Sequence, residues 1–127
     1  MKKLLCSLFA LSAVSTAMAQ EVNIKLLGTS DVHGRIVPWS YGADVEDKSG
    51  SYAQIATYVK DVRKNNKNVV LVDVGDAIQD NQVDVFAKDK KYYKDHPIPK
   101  VLNEMKYDVF VLGNHEINFG LKALTEI

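Results

Sequence analysis

Carboxylate, imidazole and amide side chains occur together in three short segments of this 127-residue chain. The first segment holds Asp31 and His33, the second holds Asp76, and the third holds Asn114 and His115. Carboxylate oxygens, imidazole nitrogens and amide oxygens are ligands for hard and borderline divalent cations, and none of these segments carries a thiolate that would select a soft one. An aspartate shared by two such ligand sets can bridge two ions roughly 3.5–4 Å apart, an arrangement that clamps the attacking and leaving oxygens of a phosphoryl transfer.

Each polar segment follows an apolar run that predicts a β-strand. The first run covers residues 23–27 and is expected to end at Gly28, and the others cover residues 69–74 and 108–112. The run at 69–74 is nearly all β-branched, which is typical of a strand buried on both faces. In sheets of this kind the ligand site forms from the loops at the carboxyl ends of the strands. The three polar segments are therefore expected to meet at one edge of the sheet.

Helical patterns alternate with these strands. Apolar residues recur at three- and four-residue steps over 51–64, where Ser51 can serve as the N-cap, and another helical pattern begins at Leu121. Residues 41–50 contain turn formers and charges, so they predict a loop. The alternation of strands and helices predicts an α/β fold, a layered sheet with flanking helices.

The segment around His96 is expected to interrupt this pattern. Pro97 and Pro99 predict a break in the chain, followed by a short helix over residues 100–106. His96 is interpreted as a solvated loop histidine rather than a metal ligand.

The composition is that of a soluble globular domain. The chain has 16 Lys+Arg against 16 Asp+Glu, with 46% hydrophobic and 25% charged residues. An intrinsically disordered chain would need lower hydrophobicity or a charge imbalance. A basic-patch nucleic-acid binder would need a surplus of cations, so no polymeric nucleic acid is predicted as a partner.

Residues 1–19 predict a secretory signal peptide. Two lysines precede an apolar run at 4–14, and small residues at 17–19 allow cleavage after Ala19. A transmembrane anchor is disfavoured because the run is shorter than the ~20 residues that span a bilayer. Residues 20–127 have a net charge of −2 and no cysteine, so disulfides cannot stabilise them. We expect export to a periplasm or the extracellular space, with no membrane span after cleavage.

The three polar segments resemble a known family. The sequences Asp31-Val32-His33-Gly34, Gly75-Asp76 and Gly113-Asn114-His115-Glu116 look like the first three blocks of the calcineurin-like metallophosphoesterases. With an export signal, the chain is similar to the 5′-nucleotidase / 2′,3′-cyclic-nucleotide 2′-phosphodiesterase family. The resemblance implies that residues 20–127 are the N-terminal portion of a four-layer αββα metallophosphoesterase domain.

The resemblance also implies a role for each matching residue. Asp31 and His33 would bind the first of two divalent metal ions, Asp76 would bridge both, and Asn114 would bind the second. His115 would face the scissile phosphate, where it stabilises charge or protonates the leaving group. The ions would be Zn²⁺, Mn²⁺, Mg²⁺ or similar, and a water that they activate would attack the phosphorus.

Neighbouring residues refine this expectation. Arg35 is a candidate phosphate contact, and Glu116 is expected to support its loop by hydrogen bonding. The 5′-nucleotidase branch usually has an aspartate where this chain has Asn118, and Asn118 with Gln79 resembles the cyclic-nucleotide branch. The predicted substrate is therefore a nucleotide or a 2′,3′-cyclic nucleotide, and the predicted enzyme belongs to the cyclic-nucleotide branch or is a broad-specificity nucleotidase.

The resemblance covers only part of a hydrolase. Further histidines in Gly-His and Gly-His-x-His blocks complete the metal sites of the resembled family, yet no histidine follows His115. Residues 121–127 begin an amphipathic helix without a stop signal. We predict an N-terminal piece of a longer enzyme, without its C-terminal substrate-binding domain, that alone binds metal weakly and has little activity. The alternative is a non-catalytic exported α/β binding module.

Overall fold

A computed structural model describes residues 21–127, and the predicted signal peptide lies outside this range. Within it, the strands are β1 (Lys25–Thr29), β2 (Trp39–Ser40), β3 (Val45–Glu46), β4 (Val69–Asp73) and β5 (Val109–Phe110). The α-helices are α1 (Tyr52–Asn65), α2 (Asp84–Lys88), α3 (Pro97–Glu104) and α4 (Leu121–Glu126), with 3-10 turns at Lys90–Asp95 and His115–Ile117. None of the helices described is long and apolar enough to cross a membrane.

The main sheet has three parallel strands in the order β1-β4-β5. Thr29 at the end of β1 is in register with Asp73 at the end of β4, and Asp73 is in register with Phe110 at the end of β5. All three strands therefore deliver their following loops to the same edge. The parallel sheet with flanking helices confirms the predicted α/β class.

The apolar core lies on one face of this sheet. Leu71 of β4, Tyr52 of α1 and Ile98 of α3 are fully buried. On the other face Leu26 is 71% exposed, and Val109 is 46% exposed. In β4, for which burial on both faces was expected, Leu71 and Asp73 are buried, whereas Val70 and Val72 on the other face are only partly buried, because helices cover one face of the sheet among the residues described.

Helix α1 follows the predicted pattern closely. The Ser51 hydroxyl accepts a hydrogen bond from the Gln54 backbone N–H, as an N-cap does, and the helix ends at Asn65. In the last turn, the Arg63 guanidinium donates to the carbonyls of Met105 (2.6 Å) and Lys106 (2.8 Å). These bonds hold the end of α1 against the chain that leads into β5.

The start of α3 differs from the prediction. The helix begins at Pro97, because proline is tolerated in the first helical turn, where the backbone N–H has no partner within the helix. His96 is its N-cap and is 1% exposed, and its Nδ1 accepts from the Ile98 N–H at 3.3 Å. Burial lowers the pKa of His96. The interpretation of His96 as a solvated histidine is therefore wrong.

Two smaller differences concern turns. Strand β1 runs through Gly28 to Thr29, because a glycine in register with Val72 still pairs through its backbone. The predicted loop at 41–50 contains β3, which forms a two-residue antiparallel hairpin with β2. Neither difference moves the polar segments from the edge of the sheet.

Candidate metal centre

The loops that follow β1 and β4 are joined by backbone hydrogen bonds. The Asp31 N–H donates to the Gly75 carbonyl at 3.1 Å, and the His33 N–H donates to the Asp76 carbonyl at 2.9 Å. These bonds fix the two loops side by side, so that the side chains of His33 and Asp76 project into the same region.

The loop after β5 packs directly against Asp76. The His115 N–H donates to Asp76 Oδ1 at 2.8 Å. A Cβ atom added at Gly113 would lie 2.2 Å from Asp76 Oδ1, and one added at Gly75, which has φ of 98°, would lie 2.1 Å from Gly113 N. Glycine is therefore required at both positions, because any side chain would separate the two loops.

The Glu116 side chain connects the loops that follow β4 and β5. Its carboxylate is fully buried and accepts four backbone hydrogen bonds. One oxygen accepts from Asp76 N (2.8 Å) and Gly113 N (2.7 Å), and the other accepts from Ala77 N (2.7 Å) and Ile78 N (3.3 Å). A buried carboxylate surrounded by N–H donors fixes the backbone on both sides of Asp76.

The three loops bring together ligand atoms of His33, Asp76 and His115, which all lie within 4.8 Å of one another. The two imidazole rings meet edge to face, with their centroids 5.1 Å apart. Imidazole nitrogen and carboxylate oxygen are a donor set that suits a borderline divalent cation, so His33 and Asp76 can hold an ion here with the ring of His115 beside it. Asp76 Oδ1 accepts from His115 N, and because a carboxylate oxygen has more than one lone pair, both oxygens of Asp76 can still face an ion.

The backbone of this region is strained. Six non-glycine residues of the described chain have φ in the left-handed range, and four of them lie in the candidate site: Asp31 (54°), His33 (50°), Asp76 (58°) and Asp80 (78°). Such conformations cost about 1–2 kcal/mol each unless a short polar side chain offsets part of the cost. Strain concentrated in this way is typical of functional loops.

The remaining predicted residues lie around this cluster. Asp31 Oδ1 is 3.8 Å from His33 Nε2, so both can face one ion. Asn114 directly precedes His115 with an exposed side chain, and the three-residue cluster forms without it. The Arg35 guanidinium lies 3.4 Å from Asp47 and donates to Ser49, so its Nη1 is engaged by the neighbouring loop.

Asn118 contacts the ring of His115. Its Nδ2 donates to Gln79 Oε1 at 2.8 Å and lies 3.2 Å from His115 Nδ1. Because an amide nitrogen only donates, Nδ1 is the acceptor and the ring proton is on Nε2. The Asn118–Gln79 pair therefore fixes the orientation and the tautomer of His115.

Two aspartates were not singled out by the sequence pattern. Asp73 is fully buried below the loops, where it accepts from Thr29 Oγ1 (2.6 Å) and Gly75 N (2.8 Å), and its burial raises the pKa of its carboxyl. Asp80 Oδ2 lies 3.3 Å from His33 Nδ1 and 3.7 Å from His115 Nε2. A polar residue inside an apolar strand is the signal for Asp73, whereas nothing in the sequence distinguishes Asp80 from an ordinary turn residue.

Comparison with known proteins gives a consistent result. A profile of the calcineurin-like phosphoesterase family matches residues 24–126. The chain is 39% identical over 114 residues to the trifunctional nucleotide phosphoesterase protein YfkN of Bacillus subtilis, covering 84% of this chain and 8% of that protein. A crystal structure of YfkN superposes with a TM-score of 0.72 and 38% identity, over 81% of this chain and 33% of that one.

Two further relatives are named for more specific nucleotide-hydrolysing activities. The chain is 37% identical to a 2′,3′-cyclic-nucleotide 2′-phosphodiesterase/3′-nucleotidase of Haemophilus influenzae, over 94% of this chain. It is 33% identical to the snake venom 5′-nucleotidase of Naja atra, over 81% of this chain. In both comparisons the chain spans 19% of the relative's length.

Proposed function

The chain belongs to the calcineurin-like phosphoesterase family, and from this premise we propose that it carries the metal-binding loops of an exported phosphoesterase that hydrolyses nucleotides or 2′,3′-cyclic nucleotides. One observation carries the proposal. His33, Asp76 and His115, from three loops at one edge of a parallel sheet, converge within 4.8 Å. Such convergence is a site for chemistry at the carboxyl ends of the strands.

We assign the ligands as the resemblance implies. Asp31 and His33 would hold one divalent ion, Asp76 would be shared with a second, and Asn114 would hold that second ion. Bound ions of this kind polarise the phosphoryl oxygens and lower the pKa of a water towards neutrality. Zn²⁺, Mn²⁺ and Mg²⁺ are all compatible with a mixed oxygen and nitrogen donor set.

His115 acts on the substrate in this proposal. The hydrogen bond from Asn118 leaves the ring proton on Nε2, the atom that lies on the side of His33 and Asp80. In that tautomer Nε2–H donates a hydrogen bond to a phosphoryl oxygen and stabilises the negative charge that develops there, while the departing alkoxide takes its proton from water. Asp76 Oδ1 accepts a hydrogen bond from the backbone N–H of His115, which keeps the His115 ring next to the candidate metal ligands.

The preference for a cyclic nucleotide rests on Asn118. A neutral amide orients the ring without offsetting the charge of an imidazolium, whereas an aspartate at this position would do both. The Haemophilus relative, named for a cyclic-nucleotide activity, supports the same choice. We place a 2′,3′-cyclic nucleotide ahead of a 5′-nucleotide as the substrate.

We further propose that these residues are one part of a larger domain. The exposed face of the sheet, with Leu26 at 71% and Val109 at 46% exposure, supports this, as does the greater length of the relatives. Covering that face would bury side chains that now contact solvent and would stabilise the sheet.

The test compares two proteins: residues 20–127 alone, and the complete product of the reading frame that contains them. Each is stripped with EDTA, reconstituted with Mn²⁺, Zn²⁺ or Mg²⁺, and assayed for phosphate or monoester release from 2′,3′-cyclic AMP, 3′-AMP and 5′-AMP. We expect metal-dependent turnover by the complete product, greatest on the cyclic substrate and lost in Asp76→Ala and His115→Ala.

Two outcomes separate the alternatives. Metal binding without turnover of any of the three substrates would favour the non-catalytic binding module. Strong turnover by residues 20–127 alone would contradict the proposal that further chain completes the site.

A further inference from the structure

The side chain of Asp80 lies where the ring of His33 needs a partner. His33 Nδ1 is buried and makes no hydrogen bond of ordinary geometry to any residue described. Asp80 Oδ2 is 3.3 Å from this atom, while the opposite ring nitrogen, Nε2, faces Asp31 Oδ1 at 3.8 Å. The two nitrogens of one ring thus face two different carboxylates.

The position of Asp80 is held by its own backbone. The Asp80 N–H donates to Asp84 Oδ1 at 2.8 Å, and Asp84 is the first residue of α2 and pairs with Lys88 at 3.1 Å. This bond holds the backbone of Asp80 in a position where its half-exposed carboxylate oxygen lies 3.3 Å from His33 Nδ1.

The conformation of Asp80 indicates that its side chain matters. Its φ is 78°, a value that glycine adopts freely and other residues adopt at a cost. Among the described residues, the Asp80 carboxylate makes no hydrogen bond to a helix cap or a turn that would explain an aspartate at this position. Its contacts are with the two histidines, His33 and His115.

We infer that Asp80 is a positioning residue: its carboxylate accepts the Nδ1–H of His33 and so presents the Nε2 lone pair, beside Asp31, to a divalent ion. The inference rests on the proposed function, in which His33 is a metal ligand. A histidine that binds a metal ordinarily donates its other N–H to a carboxylate or carbonyl, which fixes the tautomer and raises the basicity of the ring. Loss of such a partner lowers metal affinity by about 10–100-fold.

The experiment uses three variants of the chain. Asp80→Gly removes the carboxylate and accepts the positive φ without strain, Asp80→Asn keeps an acceptor oxygen without the charge, and Asp61→Asn removes an exposed carboxylate of α1 as the matched control. Long-range ¹H–¹⁵N NMR of the metal-free protein at a pH of about 8, where an imidazole is neutral, reports the His33 tautomer. Calorimetric titration of the complete gene product and of the same variants of it with Mn²⁺ reports the affinity.

We expect the Nδ1–H tautomer of His33 in the wild type, Asp61→Asn and Asp80→Asn, and a shift to the Nε2–H tautomer in Asp80→Gly. Mn²⁺ affinity should fall by about 10–100-fold in Asp80→Gly and by less in Asp80→Asn. Thermal unfolding should occur at a higher temperature in Asp80→Gly, because the strain at φ of 78° is relieved.

The contrary outcomes are distinct. An unchanged tautomer in Asp80→Gly would overturn the inference, whatever the metal affinity. An equal loss of affinity in Asp80→Gly and Asp80→Asn without a change of tautomer would make Asp80 a direct ligand instead. If the complete wild-type gene product binds no Mn²⁺, the proposed metal site is contradicted, and the tautomer still decides whether Asp80 and His33 are in contact.

Discussion

Replacement of Glu116 by glutamine should weaken the hydrogen bonds that hold together the loops carrying Asp76 and His115. In the native chain each carboxylate oxygen accepts from two backbone N–H groups, at 2.7 and 2.8 Å for one oxygen and at 2.7 and 3.3 Å for the other. Glutamine keeps one acceptor oxygen and presents an amide NH₂ to the other pair of donors. Two buried N–H groups then lose their acceptor.

The cost follows from those two donors. Each buried donor left without a partner costs about 1–3 kcal/mol, and the easier burial of a neutral amide offsets part of that sum. We therefore expect Glu116→Gln to lower the free energy of unfolding by about 2–4 kcal/mol. That is a large share of the roughly 5–15 kcal/mol that stabilises an ordinary domain.

Urea unfolding followed by circular dichroism measures this change through the midpoint at constant m-value. Glu104→Gln is the matched control, because Glu104 is exposed near the end of α3, and its effect should stay within about 0.5 kcal/mol. A Glu116→Gln variant that also stays within about 0.5 kcal/mol of the wild type would refute the role of Glu116 as the link between the loops.

The remaining predictions concern the buried histidine and the glycine contact. Burial holds the pKa of His96 below that of the unfolded chain, so the unfolded state binds more protons as the pH falls through about 6.5, and stability should decrease by at most about 1.4 kcal/mol per pH unit. Urea midpoints at a pH of about 7.5 and about 5.5 measure this dependence. It should be weaker in His96→Asn, which keeps a capping side chain, and an undiminished slope there would assign the effect to other groups. Gly113→Ala places a Cβ 2.2 Å from Asp76 Oδ1 and should cost about 1–3 kcal/mol and weaken Mn²⁺ binding, whereas Gly42→Ala, with open space around it, should do neither. Equal stability of these two alanine variants would show that the loops can separate without cost.

The sequence predicts the elements of this fold because its patterns are local. The periodicity of 51–64 and the Ser51 cap specify α1 within a residue of its observed bounds, and the β-branched run specifies β4. The sequence does not predict the start of α3, because a proline pair favours a break in the chain as well as a first helical turn. The burial of His96 depends on residues far away in the chain, which no local pattern encodes.

The convergence of the polar segments was also predictable, because parallel strands end at one edge. The contacts within the site were not. The four backbone bonds of Glu116 and the position of Asp80 between two imidazoles arise from loop conformations with positive φ at aspartate and histidine. Sequence propensities disfavour such conformations, so they predict neither the backbone strain nor the side-chain contacts that the strained loops make.

The most direct test of the metal centre is electron paramagnetic resonance of Mn²⁺ added to the complete gene product and to its Asp76→Ala variant. Two ions bridged by one carboxylate lie roughly 3.5–4 Å apart and are exchange-coupled. We expect a coupled spectrum at two equivalents of Mn²⁺ in the wild type and its loss in Asp76→Ala. A spectrum of uncoupled Mn²⁺ in the wild type, or a coupled spectrum that survives in Asp76→Ala, would contradict the assignment of Asp76 as the bridge.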